Sequence, residues 1–277
     1  MLVGVKDFVR KGADVERVTS ADGTVIAYER SGDQSVGRTP IIVVGGALCD
    51  RGRMRRIGEE LAKHAPVVNY DRRGRGDSGA AGPFLVEREV EDLSALADAA
   101  GGPVSLYGHS SGAALALQAV RHGLAVERLV LHDPSYAPAG DRQTRRSYHQ
   151  QLTALVAEGR SGDAVALFMS LTGVPLETIE AMRGDPSWTA IEPLGQSLPH
   201  DSAALDDAHG GAVPEGLERA NMPVLVLVGG ANPAFFLDVA RQLADRLPNA
   251  RLEVLEGEGH VVDAGTLAPI VAGFLAG

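Results

Sequence analysis

The stretch with the most chemical promise in the 277-residue chain is Val104-Ser105-Leu106-Tyr107-Gly108-His109-Ser110-Ser111-Gly112, a mostly apolar run ending in Gly-x-Ser-x-Gly. A serine hydroxyl is a poor nucleophile near neutral pH. It attacks a carbonyl carbon only when a sharp turn exposes it, a base takes its proton and nearby N–H groups accept the charge that develops. Glycines two residues to either side of Ser110 permit such a turn, and the Ala/Leu-rich pattern Ala113–Arg121 reads as a helix directly after it. The turn would lift the hydroxyl off a sheet edge and place it at a helix N-terminus, where the dipole and free N–H groups favour negative charge. The bare five-residue pattern is common; its setting between strand and helix is what points to nucleophilic catalysis.

The base must be a side chain that can reach this serine and is itself oriented by a third group. The chain has eight histidines. His64, His122, His149, His200 and His209 lie in or beside helical patterns and read as surface or internally satisfied residues. His109 adjoins Ser110 but should point away from it, in a shaping role, and His132 lies at a strand end. His260 ends Glu256-Gly257-Glu258-Gly259-His260, a loop after the last strand pattern, from which a base can reach over the sheet edge to Ser110.

These residues need a frame, and the hydrophobic pattern supplies one. Val15–Thr19 and Val25–Glu29 flank the turn signal Ala21-Asp22-Gly23 and read as a hairpin. Ile41–Val44, Val67–Tyr70, Val104–Tyr107, Arg128–Leu131, Val224–Val228 and Leu252–Leu255 follow as strands, several of them continuous apolar runs of the kind covered on both faces. Helical spacing marks Arg53–His64, Phe84–Ala100, Ala113–Arg121, Phe235–Leu247 and Leu267–Leu275. This alternation predicts an α/β fold, a mostly parallel sheet with helices on both faces.

One interval breaks the alternation. From Pro134 to Asn221 there is no strand pattern, only helix-like stretches (Arg142–Glu158, Asp163–Leu171, Pro175–Met182) and breakers at Gly184, Pro186, Pro193 and Pro199. A loop of that length is implausible, so the segment reads as a helical insertion placed where ligands bind such sheets. The division expected is 1–133 with 222–277 as the core, and 134–221 as a helical cap. Leu152, Leu155, Val156, Phe168, Met169, Leu171 and Trp188 are available to line an apolar pocket, and shrinking Trp188 or Phe168 is expected to change substrate preference more than stability.

Over nearly its whole length the chain resembles the α/β-hydrolase superfamily. The matching pieces are the opening hairpin, Val44-Gly45-Gly46-Ala47 after the third strand, the Asp71–Ser78 run, the Ser110 turn, the helical insertion and Gly259-His260. The resemblance implies that Ser110 is the nucleophile and His260 the base, with an oxyanion hole formed by the backbone N–H groups of Ser111 and Ala47. The Asp71–Ser78 run is usually a structural turn in this superfamily and receives no catalytic role. One position departs. The loop where the superfamily usually keeps its acid reads Val228-Gly229-Gly230-Ala231-Asn232-Pro233, with asparagine in place of aspartate. Some members draw the acid from the end of the strand after the nucleophile turn, where this chain has Asp133; Glu258 and Asp263 are local alternatives near His260.

The expected function is hydrolysis of an ester, lactone or related acyl bond of a small, largely apolar molecule, with neither cofactor nor metal. The alternatives are a non-hydrolytic member of the fold (C–C cleavage, cyclisation or cofactor-free haloperoxidation) and a ligand-binding protein with a vestigial triad, which Asn232 brings into view. An elbow carrying serine disfavours acid-nucleophile dehalogenases and epoxide hydrolases. No dinucleotide fingerprint or histidine pair at zinc-ligand spacing is present.

Composition agrees. With 26 Lys+Arg against 36 Asp+Glu, a formal net charge of −10 argues against nucleic-acid and anionic-membrane partners. No stretch nears the roughly 18 apolar residues of a membrane helix. The start, Met1 to Lys11, is broken by Lys6 and Asp7 before a signal-peptide core forms. The single Cys49, read as a small buried hydrophobe, excludes an internal disulfide. A soluble, cytoplasmic chain acting on a small-molecule substrate is expected, with oligomeric state left open.

Overall fold

The computed structural model describes residues 14–35, 37–80, 83–138 and 140–276, so the reading of the first eleven residues lies outside it. Eight strands form one sheet: β1 (Glu16–Thr19), β2 (Val25–Ser31), β3 (Ile41–Val44), β4 (Val67–Tyr70), β5 (Val104–His109), β6 (Val126–His132), β7 (Val224–Gly229) and β8 (Ala250–Leu255). Their order is β1-β2-β4-β3-β5-β6-β7-β8. β1–β2 and β2–β4 pair antiparallel, and the remaining neighbours are parallel.

Each central strand is apolar on both faces because both are covered. Ile42, Val44, Leu106, Leu131 and Val226 pack with residues of α2 (Val86–Ala99), α3 (Ser111–Arg121) and α9 (Ala234–Arg246). The alternate positions Ile41, Val43, Tyr107, Val130 and Leu227 pack with α1 (Arg51–Leu61) and α10 (Ala264–Ala276). This two-residue alternation between two apolar layers is the strand pleat itself. From β3 the chain crosses to β4 on one side and then to β5 on the other, so a topological switch lies at the carboxyl ends of β3 and β5. That is the place where open α/β sheets bind ligands.

Between β6 and β7 the described residues hold five α-helices and no strand: α4 (Arg142–Ala157), α5 (Ser161–Leu171), α6 (Leu176–Arg183), α7 (Trp188–Ile191) and α8 (Leu198–Ala204). The last two were not expected from sequence. Pro199, which reads as a breaker, sits in the first turn of α8, where a missing N–H costs nothing. The insertion has its own core of Leu152, Val165, Ile179, Trp188 and Leu198, and that core packs against Ala47 and Leu48 after β3. No described helix is long and apolar enough to cross a membrane.

That core argues against the expectation that Trp188 chiefly sets substrate preference. Leu152 is fully buried and Trp188 is 5 % exposed, so both hold the insertion together. The Arg183 guanidinium lies 5.2 Å from the Trp188 ring centroid and completes its packing. Trp188→Ala is therefore expected to cost about 3–5 kcal/mol of stability by leaving a cavity. Thermal denaturation checks this alongside relative kcat/KM for esters of different acyl length. The melting temperature should fall and the acyl profile should stay put; an unchanged melting temperature with a shifted profile would place Trp188 in the pocket after all.

Candidate active site

β5 runs directly into the turn that presents Ser110. Ser110 has φ 59° and ψ −125°, a conformation strained for any residue with a side chain, and α3 begins at the next residue. Two glycines make this possible. A Cβ at Gly108 would lie 2.5 Å from the Gly112 carbonyl oxygen, and one at Gly112 would run into the Val44 and Gly45 carbonyls. Neither position can hold a side chain while β5, α3 and the loop after β3 approach this closely. The Ser110 N–H donates to the His132 carbonyl at 2.9 Å, which ties the turn to β6.

Register then fixes the neighbour. His109 pairs with His132 across β5 and β6, so Asp133, just beyond β6, stands beside Ser110. Asp133 is fully buried and also has positive φ, 48°. Its Oδ2 accepts from His260 Nδ1 at 3.1 Å and from Asn232 Nδ2 at 2.9 Å, and its Oδ1 accepts from the Gly229 N–H at 3.0 Å. Burial opposes the charge on Asp133. Hydrogen bonds from His260, Gly229 and Asn232, together with His132 nearby, nevertheless hold its carboxyl below the ordinary range. An ionised carboxylate only accepts, so His260 carries its proton on Nδ1, and Nε2 keeps the lone pair that a general base needs.

The structure thus brings Ser110, Asp133 and His260 to one sheet edge. Asn232 is there too, as a donor to Asp133. An aspartate at 232 would set two carboxylates against each other at that spacing, so the amide in the customary acid loop complements an acid just beyond β6. Glu258 and Asp263, the local alternatives, make no recorded bond to His260. The Asp263 carboxylate pairs instead with Arg56 at 2.8 Å.

His109 points away from Ser110, into a cavity of about 450 Å³ that His132 also lines, between α1 and the start of α10. Its Nε2 donates to the His260 carbonyl at 2.9 Å, and its ring lies 4.7 Å from the His260 ring and 4.8 Å from that of His132. Burial lowers both supporting histidines, His109 to about 3 and His132 to about 4, so both are neutral at pH 7. His109 holds the His260 loop through that carbonyl, while His132 Nδ1 pairs with the Tyr107 hydroxyl at 2.8 Å. His200, expected at the surface or internally satisfied, is instead buried with its Nδ1 unpartnered. Cys49 is half-buried, and burial pushes its thiol up.

Ala47 lies in the loop after β3, and Ser111 opens α3. A Cβ on Gly46 would sit 2.8 Å from the Ser110 Cβ, which shows how closely that loop passes the serine. Sequence reasoning missed Ser135, whose Oγ accepts from Ser110 Oγ at 3.4 Å. It follows Asp133-Pro134 in sequence, and only the strand register marks it. Among the described residues, His109, His132 and Asp133 bring possible metal-ligand atoms within 4.8 Å of one another. Zinc–nitrogen bonds are about 2 Å long, so an ion would need these atoms to close in. Asp133 is already held by three donors, and the cluster fits the support of His260 better than a metal.

A strained serine at a strand–helix turn, with a histidine and a buried acid delivered by later strands, is an arrangement that sequence relatives can place. The Alpha/beta hydrolase family profile matches residues 23–268. The chain belongs to this family. The crystal structure of an alpha/beta hydrolase from Sphaerobacter thermophilus DSM 20745 is 42% identical, with a TM-score of 0.79 over 94% of this chain and 99% of that one. The provisionally named carbamate hydrolase RutD of Caulobacter sp. (strain K31) is 30% identical over 73% of this chain and 76% of its own length. Lipase LipV of Mycobacterium tuberculosis is 40% identical over a shorter stretch, 31% of this chain and 35% of that protein. As a member of the family, this α/β hydrolase has the mostly parallel eight-stranded sheet of the fold and is an enzyme.

Proposed function

We propose that this α/β hydrolase cleaves an ester, lactone or related acyl bond of a small, largely apolar molecule through Ser110, His260 and Asp133. The observation that carries the reading is the Asp133–His260 hydrogen bond, because it leaves Nε2 free to act as a base at the sheet edge that presents the strained, half-buried Ser110. The names of RutD and LipV, a carbamate hydrolase and a lipase, favour the same class of bond.

In this mechanism His260 Nε2 takes the Ser110 proton as Oγ bonds to the substrate carbonyl carbon, and the carbonyl π electrons move onto oxygen. The N–H groups of Ala47 and Ser111 hold that oxyanion. The tetrahedral centre collapses, the bond to the leaving oxygen breaks, and His260 returns the proton to it. Water then attacks the acyl-enzyme with His260 again as base, releasing the acid and restoring Ser110. Asp133 stabilises the imidazolium formed in each half. Residues 134–221 act as the cap over the core formed by 1–133 and 222–277, and the enzyme works in the cytoplasm without cofactor. The test is turnover of short-chain p-nitrophenyl esters, lactones and aryl carbamates. At least one class should be hydrolysed with an initial burst of one leaving group per active site; binding without turnover across all three would overturn the reading.

A further inference from the structure

The turn after β4 carries Arg72 and Arg75, each about 1 % exposed. Both converge on Asp201, a buried carboxylate of α8 in the helical insertion. Arg72 Nη1 donates to Asp201 Oδ1 at 2.6 Å and Arg75 Nη2 to Oδ2 at 2.7 Å. Arg72 is forked onto Glu89 at 2.7 and 2.8 Å, which anchors it to α2. Burial disfavours the Asp201 charge, but Arg75, Arg72 and the Ser111 hydroxyl hold its carboxyl below the ordinary range.

What these groups touch next is the loop that supplies the oxyanion donor. Arg75 Nη1 donates to the Gly46 carbonyl at 2.6 Å and to the Cys49 carbonyl at 3.0 Å, and Arg72 Nη1 to the Gly45 carbonyl at 3.1 Å. A peptide unit is planar and trans, so its N–H points opposite to its C=O. Pinning the Gly46 carbonyl therefore aims the Ala47 N–H. The other donor is held by the same carboxylate, since the Ser111 hydroxyl donates to Asp201 Oδ1 at 2.6 Å. Buried ion pairs are a poor way to stabilise a fold, because apolar side chains of similar volume commonly do as well or better. A buried charge network whose donors end on oxyanion-loop carbonyls is better accounted for by the geometry it enforces.

We infer that Asp201 is a positioning residue of the oxyanion hole. It orients the Ala47 N–H through Arg75 and the Ser111 N–H through the Ser111 hydroxyl, so that the hole is assembled only when α8 is seated on the core. This rests on the serine-hydrolase reading above. It makes the insertion part of the catalytic geometry as well as a cover over the site.

The test is the second-order rate of Ser110 modification by an alkyl fluorophosphonate. Oγ bonds to phosphorus, the P–F bond breaks, fluoride leaves and the proton passes to His260, while the phosphoryl oxygen develops charge in the hole. Asp201→Asn keeps the shape and presents an amide N–H₂ to one arginine. It should slow this reaction by about 10²-fold, the scale of losing one oxyanion donor or misplacing the site by an ångström. Arg75→Lys should act in the same direction, and Ser111→Ala more weakly, by about tenfold. The pH profile of the reaction should not move, because none of these changes removes the Asp133–His260 bond. All variants are measured well below their own melting temperatures, and Ser111→Ala carries the test if Asp201→Asn does not fold. A merely structural Asp201 would lower melting temperature and leave the rate of the folded variants equal to wild type, which would overturn the inference. Failure of the reagent to modify Ser110 in the wild type would instead overturn the serine-hydrolase reading beneath it.

Discussion

Ser110→Ala is expected to remove turnover by a factor on the order of 10⁴ to 10⁶ in kcat while leaving the fold and melting temperature nearly unchanged. The argument is local. The turn is built by Gly108 and Gly112, whose close approaches forbid side chains, and by the bond from the Ser110 N–H to the His132 carbonyl. None of these uses the hydroxyl. Among the described residues its hydroxyl bonds only Ser135 Oγ at 3.4 Å, a long contact worth little to stability. Alanine therefore keeps the strained backbone and removes only the nucleophile. Steady-state ester hydrolysis with thermal denaturation checks both halves. Retention of more than about a tenth of wild-type activity would show that another group attacks the substrate.

The second large effect separates the carboxylate that accepts from His260 from the amide that donates to that carboxylate. Asp133→Asn should lower kcat by at least about 10²-fold, and up to about 10⁴-fold if it behaves as the equivalent change does in serine proteases. An amide at 133 can present its carbonyl to His260 Nδ1 and Asn232 but cannot stabilise the imidazolium, and it would then place its N–H₂ against the Gly229 N–H. Asn232→Ala removes one donor of three and should cost about tenfold or less, because the Gly229 N–H and His260 still hold the carboxylate. Parallel kcat measurements decide the matter. A larger loss at 232 than at 133 would move the acid's role into the loop after β7.

Much of this was legible in the sequence because short-range patterns encoded it. All eight strands follow runs of β-branched or apolar residues, and the elbow announces itself by its two glycines. The His260 loop was placed by its position after the last strand pattern. Asp133 could be named because it ends a strand, yet its partnership with Asn232 depends on the register of β6 against β7, which brings Asp133 next to Leu227 and within reach of the following loop. Long-range partners were not legible. Ser135 resembles any loop serine, and Arg72 and Arg75 read only as part of a structural turn, whereas Asp201, 129 and 126 positions away, pairs with both in the interior. Trp188 is ambiguous in sequence for a related reason. A large apolar residue in an inserted helix can line a pocket or fill a core, and composition does not distinguish the two; only the packing of α7 against its neighbouring helices does. Candidate residues are thus legible in sequence where the motif is local, and not where a charge or hydroxyl meets its partner far along the chain.

The central claim is that Ser110 is the nucleophile of this α/β hydrolase. The most direct measurement is mass mapping of the protein after reaction with an alkyl fluorophosphonate. The account predicts one phosphonyl group per chain, on the peptide containing Ser110, and none on Ser110→Ala. Modification at Ser135 or Ser111 instead, or an unmodified protein that still hydrolyses esters, would contradict it.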